Sequence, residues 1–470
     1  MVARARPAKI GTASDRCYQF LLILSFIFRG KRVEFRWAEN SRRCVKGRVR
    51  MANESSEIQR ASRAATSRPK IGKLLGPAFV AAVAYVDPGN VAANITAGAR
   101  YGYLLLWILV LSCAAAMIVQ YLSAKLGIVT GQSLPQVLAG RMGRGPRIAY
   151  WMQAEIVAAA TDLAEVIGGA IALNLLFGVP LLWGGVIVGL ISIALLGVQS
   201  HSGQQKFEYV IIALLVVIAL GFLSGLVLAP PNWASVGQGL LPRFAGPDSV
   251  LVSASMLGAT VMPHAVYLHS SLVNDRHGEA AGAKKLSKET LLRATRVDVS
   301  WALSLAGLVN IGLLVLAASA LHGVAGTDSI EGAYTAIHSN LGLVIATVFA
   351  VGLLASGLAS TSIGAYAGSE IMRGLLKVKM PLLLRRIITL VPALLILGLG
   401  AEPTWALVIS QVVLSIGIPF AIIPLMSLTR NRELMGKYAD GRVLRVVANV
   451  VAILIVALNL LLVWLTVTGS

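Results

Sequence analysis

Long apolar stretches separated by short polar links make up the chain from about residue 74 onward. Most of them approach or exceed the roughly 20 apolar residues that a helix needs to cross a bilayer. We therefore predict eleven spanning helices, at residues 74–98, 103–123, 148–175, 180–198, 207–229, 250–272, 299–321, 340–368, 383–400, 404–427 and 444–467. The pattern indicates an all-α integral membrane protein.

The composition supports this prediction and excludes most soluble protein classes. Of the 470 residues, 56% are hydrophobic and 13% are charged, and the mean hydropathy is +0.76. Soluble domains carry about 25% charged residues, so this chain has too few polar side chains to cover a soluble surface. The three cysteines, Cys17, Cys44 and Cys113, are too few for a disulfide framework or a Cys-type zinc site.

The positive charge is distributed as a membrane topology requires. The formal net charge is +20, and beyond the first 72 residues most Lys and Arg lie in links that follow even-numbered spans. Because cytoplasmic links collect positive charge, we predict a cytoplasmic N-terminus and an external C-terminus, in the cell membrane. No globular domain presents a basic face, so the lipid bilayer, and not nucleic acid, is the expected partner.

Residues 1–72 are predicted to form a basic cytoplasmic tail. Residues 1–50 contain 13 basic and three acidic residues, which is half of the net charge. Their one apolar run, residues 18–28, is too short to cross a bilayer. Two interpretations stay open: a segment without a fold that precedes a native start at Met51, and a weak anchor on the membrane surface.

Two of the predicted spans are interrupted in the same way. The first span contains DPGN at residues 87–90, and the sixth contains MPH at residues 262–264. Proline removes a backbone donor and disfavours helix at the residue before it. Each span is therefore predicted to break and to free carbonyl groups, which lipid cannot satisfy. A packing kink would explain either proline alone, whereas the matching pair favours a binding site.

The position of the two breaks predicts an internal repeat. Pro88 and Pro263 each lie in the first span of a set of five. An odd number of spans reverses the orientation of the second set, as in transporters built from inverted repeats with discontinuous helices. We predict a 5+5 inverted repeat, with residues 73–230 as the first half, 231–429 as the second, and 430–470 as a link and the eleventh span.

The groups at the breaks suit a cation. They are the Asp87 carboxylate, the Asn90 amide, the Met262 thioether and freed carbonyls near Ala84 and Ala259. Oxygen donors alone favour magnesium or calcium, whereas a thioether favours softer ions such as manganese, iron, cadmium or cobalt. A lone methionine more often fills a core, but the place of Met262 beside a break favours a role in selectivity.

A second set of polar residues indicates a proton route. Its members are Glu155, Asp162 and Glu165 in the third span, His264 beside the second break, and Arg385 and Arg386 at the start of the ninth span. The three acids lie on one stripe of a helix, and chains of carboxylates and histidine relay protons in membrane transporters. The arginines are equally well explained as positive-inside anchors, and Glu155 as a structural partner of one of them.

These motifs resemble those of the Nramp family of divalent-metal transporters, and most closely its bacterial proton-coupled manganese importers. The resemblance covers about residues 70–470 and rests on DPGN at 87–90, ATVMPH at 259–264, QYLSAKLG at 120–127, TDLAEVIG at 161–168 and SQVVLS at 410–415. It departs from the family at Leu358, where many relatives have glutamine, and in residues 1–50, which match no part of it.

The resemblance implies a LeuT-like scaffold and a specific set of residue roles. It implies metal binding by Asp87, Asn90, Met262 and the carbonyls of Ala84 and Ala259, with Gln411 joining in some states. It implies proton coupling through His264, Asp162, Glu165 and the two arginines. The roles of His269 and Asn310 stay open between function and ordinary hydrogen bonding.

The sequence therefore predicts a proton-coupled symporter that imports a divalent transition metal, with manganese first and iron(II), cadmium or cobalt as further substrates. Metal and proton are substrates here, so no cofactor is expected, and no obligate protein partner is apparent. A carrier of magnesium or of a sodium-coupled organic solute on the same scaffold is the alternative. An intramembrane enzyme is disfavoured because no His-Glu-x-x-His motif is present, and an ATP-driven pump because no Walker loop is present.

Overall fold

The computed structural model describes residues 75–202, 204–283, 286–327, 329–378, 380–400 and 403–468. Every regular element in these ranges is helical, which confirms the all-α prediction. Eight of the helices are long and apolar enough to cross a membrane, which confirms a membrane protein with several spans. The predicted tail, Cys17 and Cys44 lie outside the described residues.

The helices are numbered here in chain order. The first half of the chain contains α1 (Pro77–Val83), a 3-10 turn (Ala84–Val86), α2 (Pro88–Tyr101), α3 (Leu106–Thr130), α4 (Leu134–Arg141), α5 (Arg144–Phe177), α6 (Leu181–Ser202), α7 (Gln204–Leu223), α8 (Gly225–Leu228) and α9 (Trp233–Gly239). The second half contains α10 (Pro247–Thr260), α11 (Pro263–Ala283), α12 (Lys288–Ala320), α13 (Ile330–Leu341), α14 (Leu343–Leu376), α15 (Leu382–Gly398), α16 (Pro403–Arg430), α17 (Arg432–Met435), a 3-10 turn (Gly436–Tyr438) and α18 (Arg442–Thr468). Each of the predicted apolar segments coincides with one helix or with one interrupted pair.

The helices differ from the predicted segments mainly at their ends. Helix α12 begins at Lys288, where the apolar segment was predicted from residue 299, and α3 continues to Thr130 beyond residue 123. Hydropathy marks only the part of a helix that lies at hydrocarbon depth, so polar turns beyond the membrane were missed. The short link helices α4, α9, α13 and α17 were missed for the same reason, because they contain no apolar run of membrane length.

The break in the first span is present and ends in a helix cap. Asp87 is extended, with φ −77° and ψ 167°, between the 3-10 turn and α2. Pro88 occupies the first position of α2, where its missing N–H costs nothing. The Asn90 N–H donates to Asp87 Oδ1 at 2.8 Å, so the aspartate is the N-cap that restarts the helix.

The break in the sixth span lies at Val261 and Met262, between α10 and α11. Val261 leaves the helical region, with φ −102° and ψ 83°, and α11 restarts at Pro263. Because Pro263 has no N–H, the carbonyl of Ala259, four residues earlier, loses its helical partner. This carbonyl becomes one of the groups of the candidate site.

The two interrupted pairs are held by longer helices on several sides. Helix α2 packs against α12, α11 against α3, and α5 against α14. Helices α5 and α14 cross closely, since a Cβ atom on Gly357 would lie 2.9 Å from the Gly169 backbone. Small residues permit such backbone approach in membrane bundles. Helix α18 packs against α10 and α16.

Candidate metal-binding site between the two helix breaks

Asp87 combines a structural role with an open ligand position. Its side chain is fully buried, and Oδ1 accepts hydrogen bonds from the Asn90 backbone N–H at 2.8 Å and from Asn90 Nδ2 at 2.6 Å. Its other oxygen, Oδ2, is buried without a hydrogen-bond partner in the described structure. A buried carboxylate oxygen of this kind is costly unless it binds something. The cap therefore fixes the carboxylate and leaves one oxygen for a cation.

Asn90 joins the two breaks directly. Its Nδ2 donates to the freed carbonyl of Ala259 at 2.9 Å, and the Thr260 hydroxyl donates to Asn90 Oδ1 at 3.3 Å. The Ala259 carbonyl retains a second lone pair, which is free to face a ligand. Thr260 is a positioning residue that the sequence reasoning missed, although it lies inside the ATVMPH motif.

The backbone around Ala84 is held in place by side chains of two neighbouring helices. Asn310 of α12 donates to the Tyr85 carbonyl at 2.6 Å, and Ser356 of α14 donates to the Val86 carbonyl at 2.5 Å. Pro88, four residues after Ala84, offers no N–H to the Ala84 carbonyl. The Asn310 amide thus contacts the backbone that leads into the first break.

Gln411 of α16 reaches the first break. A Cβ atom on Gly89 would lie 2.0 Å from Gln411 Nε2 and 3.1 Å from Asp87 Oδ2. Both polar atoms of the Gln411 amide are buried without a hydrogen-bond partner. The open carboxylate oxygen and the open amide therefore both lie next to the space that Gly89, without a side chain, leaves free. Met262, in the second break, is fully buried.

The three acids of α5 have different surroundings. Asp162 accepts a hydrogen bond from Thr361 at 2.7 Å and is paired with Arg386. Glu165 is fully buried, and neither of its oxygens has a hydrogen-bond partner in the described structure. Glu155 is 23% exposed and pairs with Arg385 at 2.6 Å. Helix α5 therefore carries a buried acid paired with an arginine, a buried acid without a hydrogen-bond partner in the described structure, and a partly exposed acid paired with an arginine.

The two arginines face the interior of the bundle. Arg386 is fully buried and donates to Ser192 at 2.6 Å and to Thr361 at 2.8 Å, in addition to Asp162. Arg385 is 2% exposed. Both side chains are buried and paired with acids of α5. Ser192 and Thr361 accept hydrogen bonds from Arg386. The sequence did not predict them, because single hydroxyl residues in apolar helices have no distinctive pattern.

His264 and His269 lie in separate networks. His264 Nδ1 is 3.4 Å from the Thr161 hydroxyl, and its Nε2 is buried without a hydrogen-bond partner. His269 Nδ1 is 2.8 Å from Gln120 Oε1, and Gln120 donates to the Tyr85 hydroxyl at 2.6 Å. Since Thr161 precedes Asp162 in α5, His264 is the histidine that connects the breaks to the acids.

The donor set has a single carboxylate at its centre. Among the described residues, no group of three or more His, Cys, Asp or Glu side chains is placed to hold a metal ion. Asp87, Asn90, Gln411 and the Ala259 carbonyl instead supply one charged and several neutral donors. A divalent ion held by one negative charge is bound weakly enough to be released, which suits a transported ion better than a structural one.

Most of the chain is similar to one known protein family. A family model described as natural resistance-associated macrophage protein-like (Nramp) matches residues 78–465. A divalent metal cation transporter, MntH, of Mycobacterium tuberculosis is 58% identical over 397 residues, which are 84% of this chain and 92% of the relative.

Solved structures show similar folds. A manganese transporter of Eremococcus coleocola has 33% sequence identity and a TM-score of 0.75, with 83% of this chain and 86% of the other covered. Mhp1, a transporter of the nucleobase-cation-symport-1 family, has 17% identity and a TM-score of 0.55, with 83% and 89% covered. The second likeness concerns the fold alone, which is the LeuT-like scaffold.

Proposed function

Because this chain belongs to the Nramp family, we propose that it is a proton-coupled symporter that imports manganese, with iron(II), cadmium and cobalt as further substrates. The observation that carries the proposal is the open Asp87 oxygen beside the open Gln411 amide, between two helix breaks that Asn90 joins. The names of the relatives support the same substrate class. The chain is a transporter and not an enzyme.

We further propose the 5+5 inverted repeat and eleven spans, with the N-terminus in the cytoplasm. Five apolar helical segments separate the start of α1 from the start of α10, which supports residues 73–230 and 231–429 as repeats and 430–470 as an appended link and span. The concentration of Lys and Arg in alternate links supports the orientation. Alternating access would then take place around the breaks.

The proposed metal ligands are Asp87, Asn90, Met262, the carbonyls of Ala84 and Ala259, and, in some states, Gln411. Asp87 and Gln411 both lie near Gly89, which supports the proposal that the first break forms half of this site. Asn90 supports the connection to the second half, because its amide already contacts the Ala259 carbonyl at 2.9 Å. Magnesium or a sodium-coupled solute is the alternative substrate, and a thioether ligand is what disfavours magnesium.

Uptake into proteoliposomes tests the function. Manganese uptake driven by an inward proton gradient would be measured with magnesium, calcium, iron(II), cadmium or cobalt as competitors, while an internal dye records pH. We expect competition by the transition metals and cadmium, little by magnesium or calcium, and internal acidification that depends on manganese. Vesicles that take up neither manganese nor cadmium would refute the proposal.

Met262→Ala is expected to weaken selectivity more than transport itself. The thioether strengthens the binding of softer metals and adds little to the binding of hard ions. The variant should therefore bind cadmium and manganese more weakly, and calcium and magnesium should compete better. Competition assays in proteoliposomes measure the change. Met256→Ala is the matched control, because Met256, in α10, is fully buried like Met262 but packs in a different apolar cluster. Equal selectivity changes in the two variants would remove the role of Met262.

For the proton route we propose His264, Asp162, Glu165, Glu155, Arg385 and Arg386. The short separation of His264 from Thr161 supports entry of a proton from the metal site into α5. The two Glu165 oxygens without a hydrogen-bond partner support Glu165 as the group that holds this proton. The ion pairs of Asp162 and Glu155 with arginines support these acids as the onward path of the proton.

His264→Ala is expected to slow proton entry more than manganese binding. The imidazole is the titratable group between the breaks and the acids of α5, and a methyl side chain cannot relay a proton. Internal pH and manganese uptake would be recorded together. His322→Ala is the control, because His322 is exposed and hydrogen-bonds only the Ala99 carbonyl among the described contacts, at 3.0 Å. Unchanged proton flux in His264→Ala would place the relay elsewhere.

A further inference from the structure

A cleft of about 720 Å³ lies between α16 and α18, at their outer face. Its apolar wall includes Ile423, Ile453 and Leu460, whose side chains are 56%, 69% and 63% exposed. Arg430 and Asn449 line its polar end. We call this space the α16–α18 cleft. Such exposed apolar faces of spanning helices are in contact with lipid, so the cleft opens to the bilayer and not to the metal site.

The polar end of the cleft carries an incompletely satisfied positive charge. The Arg430 guanidinium donates one hydrogen bond to Asn449 Oδ1. Its Nε–H is buried without a hydrogen-bond partner in the described structure, although an arginine has five N–H donors to satisfy. No ion pair of Arg430 occurs among the described residues.

Two acids near this end of the bundle are already paired, and the exposed Glu433 makes no ion pair with Arg430 among the described residues. Asp440, whose N–H donates to the carbonyl of Thr429, is paired with Lys125 at 2.7 Å. Glu289 is paired with Lys437 at 2.8 Å. Among the described residues, therefore, no carboxylate pairs with Arg430, which leaves its guanidinium able to bind an anion from outside the chain.

We propose that the α16–α18 cleft binds an anionic glycerophospholipid. The phosphate accepts hydrogen bonds from Arg430, including the open Nε–H, and an acyl chain lies along the apolar wall. Arginine suits phosphate because its donors form a planar fork. Basic pockets between spanning helices are suited to anionic lipid headgroups on the cytoplasmic side.

The length of the cleft favours a lipid over a soluble phosphate. The polar end lies where α16 ends and α18 begins, on the face that the charge distribution assigns to the cytoplasm. Leu460 lies several turns further along α18, which places the other end of the cleft at hydrocarbon depth. A soluble anion would use only the Arg430 end, whereas a phospholipid uses both.

Native mass spectrometry of the full chain in detergent tests this proposal. The protein would be titrated with phosphatidylglycerol and with phosphatidylcholine of the same acyl chains. We expect tighter binding of phosphatidylglycerol. Arg430→Gln should weaken its binding about tenfold, the loss of one hydrogen bond to a charged group, and bring it close to that of phosphatidylcholine. Arg432→Gln is the control, because Arg432 is exposed and does not line the cleft.

A second variant tests the apolar wall. Ala457 is exposed and lines the cleft, so Ala457→Phe should fill it and weaken both lipids without disturbing the core. Val450→Phe is the control at an exposed position outside the cleft. Equal binding of phosphatidylglycerol in the wild type and both cleft variants would overturn the proposal. Equal competition by inorganic phosphate would overturn the acyl-chain part, and a dimer that forms through this face would replace the lipid by a second copy.

Discussion

Asp87→Ala is expected to abolish manganese uptake. Asp87 is the one carboxylate at the breaks, and its Oδ2 is the open oxygen of the candidate site. Loss of outer-shell partners already costs about 10- to 100-fold in metal affinity, so loss of a charged ligand should cost at least about 100-fold. Manganese affinity measured by calorimetry, and radioactive manganese uptake into proteoliposomes, would both show the loss.

Asp87→Asn removes the negative charge of Asp87 but keeps its role as a helix cap. The amide oxygen can still accept from the Asn90 N–H, which Asp87 Oδ1 does now at 2.8 Å, so the cap is retained. The alanine variant loses it, at a cost of about 0.5–2 kcal/mol. We expect both variants to lose manganese and only the alanine variant to lose thermal stability. Near-normal uptake by Asp87→Asn would mean that Asp87 acts as a cap and not as a metal ligand.

Arg386→Met is expected to destabilise the protein by about 3–5 kcal/mol, the range for removal of one partner of a buried ion pair. Asp162 would lose its counter-charge, and Ser192 and Thr361 would lose the donor that they share. Methionine retains most of the side-chain length, so the effect reports charge more than volume. The midpoint of thermal unfolding in detergent should fall clearly below that of the wild type.

A double variant and a neighbouring arginine control this prediction. Arg386→Met combined with Asp162→Asn should recover much of the stability, because the unpaired charge is removed with its partner. Arg385→Met should cost less, since its partner Glu155 is 23% exposed and can be hydrated. Similar losses for the two arginine variants, with no recovery in the double variant, would contradict a special role for the buried pair.

Several features of the site were predictable because they depend on local chemistry. A proline within an apolar segment prevents a helical hydrogen bond wherever the segment lies, so both breaks follow from residues 87–90 and 262–264. Asp87 was identified in the same way, because a carboxylate at that depth needs a partner. Helix ends were less predictable, since α12 extends beyond the apolar segment that marks its membrane part.

The sequence suggested that Glu155 pairs with Arg385 or Arg386, but it could not decide which contact forms between distant segments. Arg385 and Arg386 are neighbours in the chain, yet one pairs with a partly exposed acid and the other with a buried acid and two hydroxyls. Asn310 donates to the Tyr85 carbonyl, 225 residues away in the chain, and the sequence does not specify that partner. Such choices depend on the rotation and depth of each helix, which hydropathy does not specify.

The sequence by itself determined the membrane class, the apolar segments, the interrupted first and sixth spans and the candidate metal ligands at the breaks, because these follow from composition, proline stereochemistry and side-chain donors. Only the tertiary structure decided that Asn90 contacts Ala259, that Gln411 occupies the space at Gly89, and that Arg430, which has no ion pair among the described residues, lines one end of the α16–α18 cleft. The physical reason is that a hydrogen bond or ion pair depends on ångström-scale distances, and those distances are set by the packing of helices that lie far apart in the chain.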